Sequence, residues 1–190
     1  MIVPFLLLFL SIGGILLSAM VPGWSDVILL AGPCAVASAL LLIVEALRRR
    51  TERGKRWVVL DGSNVMHWKD RSPDLDTVRE VVDHLSSEGF TPGVVFDANV
   101  GYKVGDRFLG DRELAGLMGL PQKRIMVVPK GQPADPTILT AARDMNARIV
   151  TNDRFRDWNE DFPETREPGR LIRGGYRRGK LWLDLGDGAG

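Results

Sequence analysis

Asp61-Gly62-Ser63-Asn64 directly follows Trp57-Val58-Val59-Leu60, a short apolar run suited to a buried strand. A carboxylate at the C-terminal end of such a strand stands where open α/β sheets place their chemistry. Three further aspartates follow apolar or turn segments: Asp97 after Gly93–Phe96, Asp135 at a helix start, and Asp153 after Arg148–Val150. Mg²⁺ and Mn²⁺ prefer carboxylate oxygens and water as ligands. The four acids therefore predict a hard-metal site built from Asp61, Asp97, Asp135 and Asp153. An ion held there would activate water and neutralise charge at a phosphorus centre, which is what phosphodiester hydrolysis requires. Each acid also has a plain structural explanation. Asp61 and Asp97 suit turns, Asp135 suits an N-cap before Pro136, and Asp153 suits a cap on the short Arg154–Trp158 turn.

The elements that must position these acids alternate along the chain. Strand-like runs occur at Trp57–Leu60, Gly93–Phe96, Ile125–Val128 and Arg148–Val150. Between them, Ser72-Pro73-Asp74 predicts a helix start with Ser72 as N-cap, and Leu75, Val78, Val82 and Leu85 mark its inner face until Gly89 ends it. Asp111–Met118 predicts a short helix, and Ile138, Leu139, Ala142 and Met145 mark another opened by Asp135-Pro136. Leu171–Tyr176 and Lys180–Leu185 predict a closing strand pair. This βαβ succession implies an α/β domain over residues 57–185 with a mainly parallel sheet, and a frayed tail at 186–190.

Charge divides the chain. All 25 Lys and Arg residues lie at Arg48 or later, and only Asp26 and Glu45 of the 24 acids precede it. Ile2–Val21 and Val27–Leu47 are each apolar over about 20 residues, the length that spans a bilayer. Residues 1–47 therefore predict a two-helix transmembrane hairpin, turned by Pro22-Gly23-Trp24-Ser25-Asp26. A cleaved signal peptide is the rival for the first run, but it lacks a basic leading segment and a small-residue cleavage pattern. Arg48, Arg49, Arg50, Arg53, Lys55 and Arg56 form a basic juxtamembrane linker at 48–56 that marks the cytoplasmic side and attracts anionic lipid. The single cysteine, Cys34, excludes an intramolecular disulfide and a thiolate zinc cluster.

Val58 to Asn64, Pro133-Ala134-Asp135 and Thr151-Asn152-Asp153-Arg154-Phe155-Arg156-Asp157 together resemble the NYN branch of the PIN-like nuclease superfamily. The chain is most similar there to the NYN domains of CCCH-type zinc-finger ribonucleases and their bacterial relatives. The resemblance implies a Rossmann-like PIN fold and Mg²⁺- or Mn²⁺-dependent endonucleolytic cleavage of RNA, single-stranded in preference to duplex. It matches Asp61, Asp135 and Asp153 to the catalytic acids and Asn64 to the asparagine that orders the site. The chain departs from the zinc-finger members at Ala134-Asp135, where they often carry two adjacent aspartates, and at Asp97, where they commonly lack an acid. It carries no zinc finger, so selectivity would be weak or supplied by a protein adaptor or a homo-oligomer. The expected setting is a bacterial inner membrane, multi-pass, with the nuclease domain facing the cytoplasm.

Four basic residues are candidates for RNA phosphates: Arg154 and Arg156 beside Asp153, and Lys103 and Arg107 after the second strand. Pairing of the two arginines with Asp153 or Asp157 is the alternative, as is plain solvation of Lys103 and Arg107. Residues 166–180, with six basic side chains and one acid, would track an RNA backbone or anionic lipid, or form a solvated hairpin. Two other function classes compete with the nuclease reading. One is a catalytically silent RNA-binding or membrane-scaffold module that keeps the fold. The other is a different Mg²⁺-dependent α/β enzyme, a phosphatase or a phosphoacceptor; no Asp-x-Asp at Asp61 and no lysine after Thr151-Asn152 argue against it.

Overall fold

Trp57–Leu60 becomes the centre of a sheet in the computed structural model, which describes residues 2–21, 23–24, 26–70 and 72–186. The chain divides into two compact units, Met1–Lys55 and Arg56–Gly190.

In the second unit, five strands lie in the order β3-β2-β1-β4-β5, all parallel. They are β1 (Arg56–Asp61), β2 (Phe90–Phe96), β3 (Ile125–Val127), β4 (Arg148–Val150) and β5 (Leu171–Ile172). Strand side chains alternate across the sheet, so β1 feeds both cores. Val58 and Leu60 pack with Val78, Val82, Leu85 and Leu114, which belong to α4 (Leu75–Ser87) and α6 (Asp111–Met118). Val59 packs on the other face with Ile138, Leu139 and Ala142 of α7 (Ala134–Asp144) and with Phe155. Two short helices, α3 (Gly62–Val65) and α5 (Val100–Val104), follow β1 and β2 directly. The α/β class with a mainly parallel sheet, expected from the alternation, is the class observed.

Several boundaries differ from the sequence expectation. The fourth helix is capped by Asp74, not Ser72: Asp74 is extended, and its carboxylate accepts from the backbone N–H groups of Asp76 and Thr77 at 2.9 and 3.2 Å. Asp135 is likewise not a cap, because α7 starts one residue earlier behind Pro133. Strand β2 begins at Phe90 and runs through Pro92. Phe96 O accepts from Val128 N, so the even residues of β2 turn their backbone polar groups toward β3. Because β3 pairs only with Val94–Phe96, Pro92 removes no ladder bond. The closing strands split: β5 joins the parallel sheet, while β6 (Gly174–Arg177) and β7 (Lys180–Leu183) form a separate antiparallel hairpin.

The first unit is two helices, α1 (Ile2–Met20) and α2 (Val27–Arg53), so the basic residues read as a linker begin within the last turns of a helix. Small residues line the seam between the two: Ser11, Ala31 and Ser38 are buried, and a Cβ on Gly14 would sit 3.3 Å from the Ala31 methyl. The outer faces are apolar and uncovered, with Phe9 76% and Leu30 74% exposed. Cys34 is exposed. Pro22 and Ser25 of the expected turn, the side chains of the basic residues 48–53 and residues 187–190 of the expected frayed tail lie outside the described residues.

Candidate active site

The strand order reverses between β1 and β4. From β1 the chain moves outward to β2 and β3, then returns to β4 on the other side. In open α/β sheets the C-terminal ends of the strands at such a reversal are the usual ligand position. Asp61 ends β1 at this point and is only 7% exposed. Leu60 pairs with Val150, which brings the next residues of both strands together, and the Thr151 hydroxyl donates to Asp61 Oδ2 at 2.9 Å. The other carboxylate oxygen accepts from Asn64 N at 3.0 Å, capping α3.

The turn after Asp61 is fixed by neighbours on both sides. A Cβ on Gly62 would lie 2.5 Å from the fully buried Phe96 ring, so only glycine lets the chain turn here. Ser63 Oγ accepts from Asp97 N at 2.8 Å and ties the end of β2 to the end of β1. Asn64 Oδ1 accepts from Trp68 Nε1 at 2.8 Å and from Asn152 N at 3.0 Å. Asn64 thereby holds the loops after β1 and β4 in register.

The loop after β4 has its own frame. Thr151 Oγ accepts from Asp153 N at 3.0 Å, and Asp153 Oδ1 accepts from Phe155 N at 2.8 Å. Phe155 is held at φ +48°, a left-handed conformation uncommon for a non-glycine, with its ring buried. Arg173 donates to the carbonyls of Thr151 and Asp153 at 3.0 and 2.6 Å. This arginine, read from sequence as part of an RNA- or lipid-tracking run, instead braces the backbone of the site loop. Tyr176 from the same run donates its hydroxyl to Glu80 at 2.6 Å and straps the β6–β7 hairpin to α4.

The acids sense one another. Burial first, then the charges of Asp135 and Asp97, push the Asp61 carboxyl up from 3.8 to about 6, against the lowering bonds from Asn64 and Thr151. Burial also raises Asp135, with added repulsion from Asp153, Asp97 and Asp157. Asp135 Oδ2 accepts from Trp158 Nε1 at 3.2 Å. All four aspartates singled out in the sequence therefore share one electrostatic neighbourhood, which Asp157 joins. Among the described residues, no three acids or imidazoles already stand at metal-ligand distance. The donor set is all-oxygen, Lys103 at Asp97 offsets only part of the repulsion, and water would complete any shell, so a hydrated divalent ion fits this chemistry.

The basic candidates separate. Lys103 reaches Asp97, Nζ to Oδ2 3.7 Å, and so stands at the acidic cluster. Arg107 is engaged 2.5 Å from Glu113 at the start of α6, lining a groove with Asp74 and Arg79. Arg154 and Arg156 are exposed, and among the described residues neither forms an ion pair. Thr151, Ser63, Trp68, Asn152, Arg173 and Asp157 belong to the site's frame but were not singled out as site residues. Thr151 had a usable signal, the first polar residue after a buried strand; the others depend on contacts across the fold.

Residues 54–173 match the family model described as Zc3h12a-like ribonuclease NYN domain. The chain belongs to that family. Its nuclease fold also resembles the crystal structure of nuclear proteinaceous RNase P 2 (PRORP2) from A. thaliana, with a TM-score of 0.55 and 20% identity over 74% of this chain and 32% of that one. A second structure, of Arabidopsis thaliana nuclear protein-only RNase P 2, matches at a TM-score of 0.47 and 21% identity, over 81% of this chain and 35% of that one. The chain thus spans about a third of the length of these plant proteins. No curated protein sequence matches it. The expected NYN relationship and the α/β nuclease fold therefore stand.

Proposed function

We propose that this chain is a membrane-anchored endoribonuclease that cleaves single-stranded RNA with Mg²⁺ or Mn²⁺. The observation that carries the reading is Asp61, a buried carboxyl at the sheet's switch point, loaded with repulsion from Asp97 and Asp135, in a domain of a ribonuclease family. Asp61, Asp97, Asp135 and Asp153 would hold the ion. When bound, it polarises the scissile phosphate and lowers the pKa of a coordinated water.

The protein's own contribution is placement. Thr151 and Asn64 hold both oxygens of Asp61 in fixed directions. Asn64 also locks the two loops that carry Asp61 and Asp153. Lys103 balances part of the acidic charge at Asp97 and can meet a phosphate as RNA enters. Arg154 and Arg156, exposed beside Asp153, are free to pair with the RNA backbone. The single-strand preference comes from the family resemblance: a flexible single strand bends into a shallow acidic cleft more readily than a duplex.

The anchor rests on α1 and α2. Both are long and apolar enough to cross a bilayer, and nearly all of that surface is uncovered by protein. A soluble core helix would be buried. Basic residues from the last turns of α2 onward favour a cytoplasmic nuclease domain at a bacterial inner membrane. A catalytically silent RNA-binding module is favoured by one observation, that no three ligands converge among the described residues.

The deciding experiment incubates the purified full-length chain with labelled single-stranded RNA and Mn²⁺, beside an EDTA lane and Asp61→Asn. Cleavage lost in both controls supports the proposal. Intact RNA with folded wild-type protein in both Mg²⁺ and Mn²⁺ moves the reading to the silent module.

A further inference from the structure

Bases stand at or directly before four of the five strand starts of this sheet, and acids at or shortly after three of the strand ends. At the C-terminal ends stand Asp61, Asp97 and Asp153; at the N-terminal ends β1 starts with Arg56, β4 starts with Arg148, and Lys123-Arg124 and Arg170 immediately precede β3 and β5. The fifth strand start, Phe90 of β2, lies under the Arg56 guanidinium at 4.3 Å. The strand starts thus carry a run of bases with Glu88 before β2, whereas the end that carries the acids mixes them with Lys103, Arg154, Arg156 and Arg173.

The basic end keeps its charge. Arg148 donates to the carbonyls of Gly169 and Leu185 at 2.7 and 2.9 Å, and Arg170 to Asn146 Oδ1 and the Ala142 carbonyl at 3.3 and 3.4 Å. Neutral acceptors satisfy hydrogen bonds without cancelling charge. Among the described residues, Lys123, Arg124, Arg148 and Arg170 make no ion pair with a carboxylate. Burial first, and then the charge of Arg56, push the Arg148 guanidinium below its ordinary value, while Asp184 pulls it back up. Acids soften the field here: Glu88 precedes β2, Glu167 lines the cleft beside Arg148 and Arg170, Asp184 acts on Arg148, and Glu164 senses Arg170. Arg148, Arg170, Gly169 and Leu185 also line an open cleft of about 410 Å³.

We infer that this basal face, centred on Lys123, Arg124, Arg148 and Arg170, docks on anionic phospholipid headgroups and turns the acidic site away from the bilayer. The inference rests on the membrane-anchored reading above and adds to it the face and the lipid class. Two arguments favour lipid over RNA as the occupant. Arg56 follows the last residue of α2 by three positions, so the basic edge is the edge tethered closest to any surface that holds the hairpin. An RNA strand bound there would also be separated from the acids by the length of β1, about 20 Å for six residues. Polybasic segments next to a membrane gain about a fivefold preference for an anionic surface per charge.

The test uses the full chain in lipid nanodiscs, with Cys34→Ser and a single fluorescent label on Gln122→Cys at the basal end or on Gln132→Cys beyond the C-terminal end of β3. Quencher-bearing headgroups report proximity. In discs containing phosphatidylglycerol, the label at 122 is expected to be quenched more than the label at 132. The difference should shrink in pure phosphatidylcholine, in high salt, and in Lys123→Glu, whose docked-to-undocked ratio falls by more than about fivefold because a charge is reversed. Equal quenching of the two labels in phosphatidylglycerol discs, or a difference unchanged in phosphatidylcholine, overturns the inference while leaving the anchor intact. Protection of the 122 label by added single-stranded RNA instead of lipid overturns it in favour of a nucleic-acid surface. A chain that does not enter discs overturns the anchor and this inference together.

Discussion

A carboxylate buried at a switch point is stable only when something shares its charge, and Asp61 shows how the site stores that demand. Its folded-state pKa of about 6 exceeds the ordinary 3.8. The native state therefore holds a proton that the unfolded chain releases between those values. Stability from this group is fully present below about pH 4 and is lost as pH rises through about 6, by about 3 kcal/mol in total. Asp61→Asn removes that dependence. In EDTA, the variant should match wild type near pH 4 and exceed it by up to about 3 kcal/mol at pH 7.5, while losing all cleavage. Chemical denaturation at the two pH values reads the stability. A wild-type domain no less stable at pH 7.5 than Asp61→Asn would remove the electrostatic argument for a cation. Asn64 predicts the opposite pairing of effects. Asn64→Ala leaves Trp68 Nε1 and Asn152 N without their acceptor, which should lower stability by about 1–3 kcal/mol and lower cleavage with it. Thermal melts with single-turnover rates on the same preparations would check both.

Elements were legible where burial dictates pattern and less so where one polar side chain decides a boundary. Arg148–Val150 and Asp111–Met118 are found as read, because an apolar run between turn residues or a repeating inner face leaves one solution. The start of α4 is different. Ser72, Pro73 and Asp74 all suit a helix entrance, and the winner is Asp74, which accepts two backbone N–H bonds and the Thr77 hydroxyl at 2.8 Å. Asp74→Ala should therefore destabilise the domain by about 1 kcal/mol, and Ser72→Ala by far less. A denaturant midpoint for each separates them, and equal effects would refute the cap assignment. Asp61, Asp97 and Asp153 were legible for the same reason as the strands, since each follows a buried run, and Asp135 because it stands beside Pro136 at a helix start. Their frame was not. Ser63 to Asp97 N, Asn64 to Asn152 N and Arg173 to the Thr151 carbonyl join residues 34, 88 and 22 positions apart. No local pattern encodes such pairs, because the sheet order brings them together.

At the scale of the whole molecule, the question is what covers the first unit. The outer faces of α1 and α2 expose Phe5, Phe9, Leu29 and Leu30, among others, with only a seam of small residues between the helices. Water contact with that much apolar side chain is opposed at about 25 cal/mol per Å², so the hairpin must be covered by lipid or by protein. Two consequences separate these. If lipid covers it, the full chain should stay with membranes through an alkaline carbonate wash, and a chain from residue 54 onward should be released. If another protein covers it, the wash should strip the full chain as well. The proposed side of the membrane rests on charge: the basic residues at 48–56 directly follow the second apolar run, and the positive-inside rule predicts that end on the cytoplasmic side. Protease added to inverted vesicles should therefore digest the nuclease domain, while protease added outside intact spheroplasts should leave it whole. The reverse pattern would place the site away from cytoplasmic RNA and would sink the proposed substrate along with the topology.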